Sequence, residues 1–235
     1  MKKSVLEPFW RPVWNAVDKA RVRKARQEAK AGAVVHVELV RGEIWAQVRA
    51  SGPRRSCQVA LPLLAHYEEH IEAVAKWLAM RPDWMAAHFA GEWDPEYEAF
   101  LKSNRLDVLP DDSVVDKLRW GAKCTCDDSD PLCVHVLTAL LHLIWEADEH
   151  PLRVFRFVGL DEEPLLDAAH GWTAHWVRST KADSREAGAT NQTTDQIEQV
   201  TDAVSAWNVA IWLKGAGTNP VGRLVPHFRT GDRME

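Results

Sequence analysis

The chain has 235 residues, of which 46% are apolar and 27% charged, enough apolar material for a buried core and too much for wholesale disorder. No apolar run approaches the ~18 residues of a membrane-spanning helix, and residues 1–8 carry lysines without the apolar stretch of a secretion signal, so the chain reads as cytoplasmic. The net charge of −5 gives no global reason to bind nucleic acid, although residues 1–30 hold nine Lys/Arg against three acids.

In chain order, Phe9/Val13/Val17 and Trp10/Trp14 have helical spacing over residues 9–31, with Gly32 as the C-cap. Lys19, Arg21, Arg23, Lys24, Arg26 and Lys30 wrap most of that helix. The period then changes to two. Val35, Val37 and Leu39, then Ile44, Ala46 and Val48, then Cys57, Val59 and Leu61 alternate with other residues, separated by Arg41-Gly42 and Ser51-Gly52-Pro53. This predicts a three-stranded antiparallel meander. From Leu63 to Ser103 the signal is helical, with Leu64, Tyr67, Ile71, Val74, Trp77 and Leu78 on one stripe and new starts at Pro82 and Pro95. Residues 114–120 read as a strand. Residues 136–145 are strongly helical, Pro151 closes that helix and opens a further one, and residues 161–169 form a short helix. Residues 181–194 are small and polar, as in a linker. Ile197, Val200, Val204, Trp207 and Ile211 predict a last helix, ended by Gly215-Ala216-Gly217.

The four cysteines are Cys57, Cys124, Cys126 and Cys133, and three lie within ten residues. In a cytoplasmic chain such clustering points to a metal before a disulfide. Cys124-Thr125-Cys126, six residues, then Cys133-Val134-His135 reads C-x-C-x₆-C-x-H. Residues two apart on an extended strand face one side, so Cys124 and Cys126 can present two sulfurs to one ion. Residues 128–131 have turn chemistry and bring the chain back. Cys133 then opens a helix, whose free amides favour a thiolate, and His135 supplies a fourth ligand. Three thiolates and an imidazole form a closed tetrahedral set, the signature of structural Zn2+.

This pattern and its surroundings resemble the SWIM zinc-finger family, in particular bacterial SWIM proteins associated with SWI2/SNF2-type ATPases. The resemblance is carried by Lys123-Cys124-Thr125-Cys126, by Pro131-Leu132-Cys133-Val134-His135 entering an apolar helix, and by His150-Pro151-Leu152-Arg153-Val154-Phe155. The hairpins of residues 34–61 are also similar. It covers residues 10–170. Asp127-Asp128-Ser129 and Val134 depart from the family, where a Pro-Asp-Trp-like turn and a Lys are common. The resemblance implies zinc binding and protein- or DNA-interaction roles rather than catalysis, with a SWI2/SNF2-type ATPase as partner.

Other groupings point to no site. His66/His70 and His170/His175 lack a third ligand. Cys57 reads as a core residue on its strand. No phosphate-binding Gly-Lys loop is present. The acidic Asp127, Asp128 and Asp130 should repel a DNA backbone. Direct contact with nucleic acid therefore falls to Arg21, Arg23, Lys24, Arg26, Arg54, Arg55, Lys117, Arg119 and Lys123.

The expectation is an α+β fold: a small antiparallel meander, several helices and one structural zinc knuckle. Its parts are a basic helical segment (1–32), a SWIM-type domain (33–179), a linker (180–195) and a C-terminal helix and tail (196–235). The expected function is a non-enzymatic module mediating protein interaction. Direct DNA binding through basic surface outside the finger is the first alternative. A zinc hydrolase, which needs an open ligand position, is the second.

Overall fold

The computed structural model describes residues 4–49 and 56–186. The chain divides into two compact units, Met1–Trp176 and Val177–Glu235. The first is α+β, with the expected meander extended to four antiparallel strands in the order β1-β2-β3-β4.

The segment read as one N-terminal helix is broken. A 3₁₀ turn at Glu7–Trp10 leads into α1 (Arg11–Asn15), and α2 runs over Lys19–Lys30. Asp18 makes the break. Its backbone is extended, and its carboxylate accepts from the amides of Ala20 and Arg21 at 3.1 and 3.2 Å, capping a new helix. Gly32, with φ +68°, ends α2 as expected. β1 (Val34–Val40), β2 (Glu43–Val48) and β3 (Cys57–Pro62) follow. Ile44, Ala46 and Val48 on β2, and Cys57, Val59 and Leu61 on β3, are buried as their alternation requires. The expected turn at Ser51-Gly52-Pro53 lies outside the described residues.

The next helix begins later than its apolar stripe suggests. Leu64 and Tyr67 instead donate backbone hydrogen bonds to the carbonyls of Phe157 and Val158, at 2.8 and 2.9 Å. Only after a turn at Glu68–His70 do α3 (Ile71–Met80), α4 (Pro82–Phe89) and α5 (Pro95–Ser103) form, packing Trp77, Trp84, Tyr97 and Phe100 together. Residues 114–120 are a helix, not a strand: α6 spans Val114–Gly121, burying Val114 and Leu118 four apart. Their helical spacing overrides the strand preference of Val114-Val115.

β4 is only Lys123–Cys124, paired to β3 with Cys124 opposite Val59. α7 (Val134–Glu149) is the core of the unit. Nine of its sixteen residues are buried, and it packs against α2 on one side and the sheet on another. A helix apolar nearly all round has to be enclosed. A 3₁₀ segment (Pro151–Val158) and α8 (Glu162–Glu186) complete the described chain. The polar residues 181–186, read as linker, continue α8. The rest of that linker and the expected C-terminal helix lie outside the described residues.

Candidate metal centre

The site is built where the edge of the sheet meets the start of α7. β3 holds the first cysteine of the pair through the β4 ladder. Thr125 extends that hold by two hydrogen bonds of 3.0 Å, donating its amide to the Gln58 carbonyl and accepting the Gln58 amide on Oγ1. The strand ends at Cys124, and the chain bends through Thr125–Asp127. Cys126 therefore reaches the site from a bend rather than from the expected strand. Asp128 and Asp130 accept from the amides of Asp130 and Leu132, each at 3.0 Å, and these turns return the chain. Cys133 is the residue at which α7 starts, with φ −63° and ψ 167°, and His135 lies in its first turn.

These elements bring together Cys124, Cys126, Cys133 and His135, whose ligand atoms all lie within 4.8 Å of one another. Among the described residues this is the group able to hold a metal ion. Neither His66/His70 nor His170/His175 gathers a third ligand; His66 instead faces Glu68 at 3.9 Å.

The electrostatics suit a cation. Cys124 hydrogen-bonds to Cys133 and holds the Cys133 thiol low, at about 4, against the effect of burial. The same bond pushes Cys124 well up, and burial raises Cys126. Three sulfurs crowded in a partly buried place cannot all ionise without a positive charge between them. The Cys133 sulfur also raises His135. Even so, His135 Nδ1 is buried and meets no acceptor in hydrogen-bonding geometry. A buried nitrogen without a partner, beside three sulfurs, fits a tetrahedral thiolate–imidazole centre.

Two features of the surroundings were not legible in the sequence. The Cys57 sulfur, expected only to fill the core, lies 4.0 Å from His135 Nε2. Arg21, expected to face an anionic partner, bonds Asp130 and lies 3.5 Å from Asp128. The packing of α2 on α7 creates the second contact across more than one hundred residues, and no local pattern signals it.

The remaining expected nucleic-acid residues are scattered. Arg26 pairs with Glu7, and Lys24 lies 4.0 Å from Glu28. Lys117 pairs with Asp111 at 3.5 Å, Arg119 donates to the Ala16 carbonyl at 3.3 Å, and Lys123 pairs with Glu43 at 3.1 Å. Arg54 and Arg55 lie outside the described residues. The basic residues of α2 do not wrap it evenly: Lys19, Arg23, Arg26 and Lys30 line one groove together with Trp14, while Arg21 turns to the metal loop. No helix of the described residues is long and apolar enough to cross a membrane. Comparison of the chain with family models, curated proteins and solved structures finds no match.

Proposed function

We propose that the protein is a non-enzymatic zinc module of SWIM type that docks onto a partner protein within a nucleic-acid-processing assembly. The gathering of Cys124, Cys126, Cys133 and His135 within 4.8 Å carries this reading. Zinc held by these four has no position left for substrate or water, so its role is structural. By the sequence resemblance, the partner is a SWI2/SNF2-type ATPase. A suitable anchor is Trp120, next to the last residue of α6 and 89% exposed. A bare indole with polar neighbours is a typical hot spot of a protein interface.

The test has two parts. Metal analysis of the purified protein should find one zinc per chain, lost on Cys124→Ser. A zinc-free protein with Cys124→Ser unchanged in stability overturns the metal reading. Binding to a SWI2/SNF2-type ATPase should vary little with salt and weaken at least tenfold on Trp120→Ala, the scale of an interface hot spot. Binding that ignores Trp120 and falls steeply with salt overturns the docking reading.

One observation favours a second reading, direct contact with nucleic acid. The groove between α1 and α2, of about 500 Å³, is lined by Lys19, Arg23, Arg26 and Lys30 and by no carboxylate. Their spacing of i, i+4, i+7 and i+11 places them on one helix face, about 16 Å end to end. Of the four, only Arg26 has an ion-pair partner among the described residues. Such a stripe suits a phosphate backbone. Affinity of the full chain for duplex and single-stranded probes should then fall steeply with salt, and Lys19→Glu with Arg23→Glu should abolish it. No measurable binding at low salt overturns this reading.

A further inference from the structure

We infer that Cys57 is an outer partner of the metal centre: its sulfur takes the Nε2–H of His135 and thereby holds the ring with Nδ1 on the ion. The inference rests on the zinc reading above and adds a residue to it.

Three observations meet at this contact. Cys57 is 1% exposed and faces inward from β3, in line with Val59 and Leu61. Because Val59 pairs with Cys124, the strand that holds Cys57 is the strand that holds the first ligand. The Cys57 sulfur nevertheless stands outside the group of four whose atoms lie within 4.8 Å, so it is not a fifth ligand of that group. Second, it lies 4.0 Å from His135 Nε2. Third, the other ring nitrogen, Nδ1, is buried and makes no hydrogen bond.

The two nitrogens of a neutral imidazole cannot play the same part. One binds the ion through its lone pair, and the other then carries the proton and requires an acceptor. Here Nε2 has the Cys57 sulfur beside it, and Nδ1 makes no hydrogen bond and belongs to a ring gathered with the three ligand sulfurs. The unpartnered Nδ1 is the nitrogen left for the metal. Nε2 is left with the proton, and the Cys57 sulfur is a weak acceptor placed to receive it. A carboxylate, carbonyl or water usually fills this place around a metal-bound histidine. On an apolar strand face, a thiol fills it without bringing a charge into the core.

This role separates from simple packing by the ranking of two substitutions. Valine keeps the apolar volume and accepts nothing; serine keeps an acceptor and loses apolar contact. If Cys57 positions His135, Cys57→Val in the full chain should weaken zinc binding about tenfold, the low end for loss of an outer partner. Competition against a chromophoric chelator reads this directly. Cys57→Ser should stay close to the unsubstituted affinity even where its melting temperature falls. Packing alone gives the reverse order, with Cys57→Val neutral and Cys57→Ser the poorer binder.

Long-range proton–nitrogen correlation spectra of His135 in the unsubstituted, zinc-loaded protein decide the matter even if Cys57→Val fails to fold. They should show Nδ1 bonded to the ion and Nε2 protonated. Zinc bound through Nε2, or unchanged zinc affinity in Cys57→Val, overturns the role of Cys57 and leaves the zinc reading standing. Absence of zinc from the unsubstituted protein overturns both.

Discussion

At the scale of single residues, Arg21 shows how a charge is reassigned by packing. It lies 26% exposed between Asp128 and Asp130 and also reaches the Leu132 carbonyl at 3.4 Å. Partial burial works against the Asp130 carboxylate, but the Leu132 amide and the Arg21 guanidinium outweigh it and hold the group below its ordinary value. Because the folded value is depressed, the stability from this contact is present at neutral pH and lost as pH falls through the acid range. Arg21→Ala should cost about 1 kcal/mol, little because both acids are partly solvated. The difference in melting temperature between Asp130→Asn and the unsubstituted protein should shrink from pH 7 to pH 3; a constant gap would count against the ion pair. Gly159 gives a backbone counterpart. It has φ +88°, and a Cβ there would lie 2.8 Å from a Glu68 carboxylate oxygen. Gly159→Ala should lose about 1–2 kcal/mol in denaturant titration, the cost of a left-handed position for a residue with a side chain.

At the scale of elements, residues 114–120 form a helix rather than the expected strand: Val114-Val115 favours extended backbone, but the buried Val114/Leu118 pair at helical spacing outweighs it. What fixes its place is Gly121, its last residue. A Cβ there would stand 2.6 Å from Pro62 Cβ, so only glycine lets α6 end against β3. The Pro62 ring is rigid and cannot swing aside. Gly121→Ala should therefore push α6 off the sheet edge and cost about 1–3 kcal/mol, as overpacking does. An unchanged denaturation midpoint would show that the two elements slip freely. The late start of α3 has a similar cause. Leu64 and Tyr67 continue its apolar stripe, but their amides are taken by Phe157 and Val158, far along the chain.

At the scale of the whole molecule, the candidate metal centre joins the sheet edge to α7, beside an apolar core. Leu137, Leu140, Leu141 and Ile144 are each at most 1% exposed, packed by apolar contact alone. Removing zinc should therefore open residues 123–135 first. Hydrogen exchange in excess chelator should lose protection there while β1–β3 and the second half of α7 keep theirs. Uniform loss across the unit would mean that metal and fold form one cooperative system, as in small fingers where zinc supplies ~10 kcal/mol. No change at all would mean that no ion is held.

The sequence by itself determined the elements whose signal is local. The period-two alternation of β2 and β3, the apolar run of α7 and the C-x-C-x₆-C-x-H spacing each lie within a short stretch, where side-chain geometry repeats and can be counted, whereas in β1 a register shift beside Val35 leaves that residue exposed. The group of Cys124, Cys126, Cys133 and His135 was legible in that spacing because its turn and its helix start are encoded beside it, whereas the hold of β3 on Cys124 and the bend that brings in Cys126 were not. Only the tertiary structure decided what crosses the chain. Arg21 meets Asp130 because α2 packs on α7. Cys57 meets His135 because α7 packs on β3. The basic helix turns Arg21 to the metal loop and the side bearing Lys19, Arg23, Arg26 and Lys30 to a groove shared with α1. Such pairings depend on which faces the core brings together, and burial of apolar surface sets those faces without regard to the charges and thiols carried along with them.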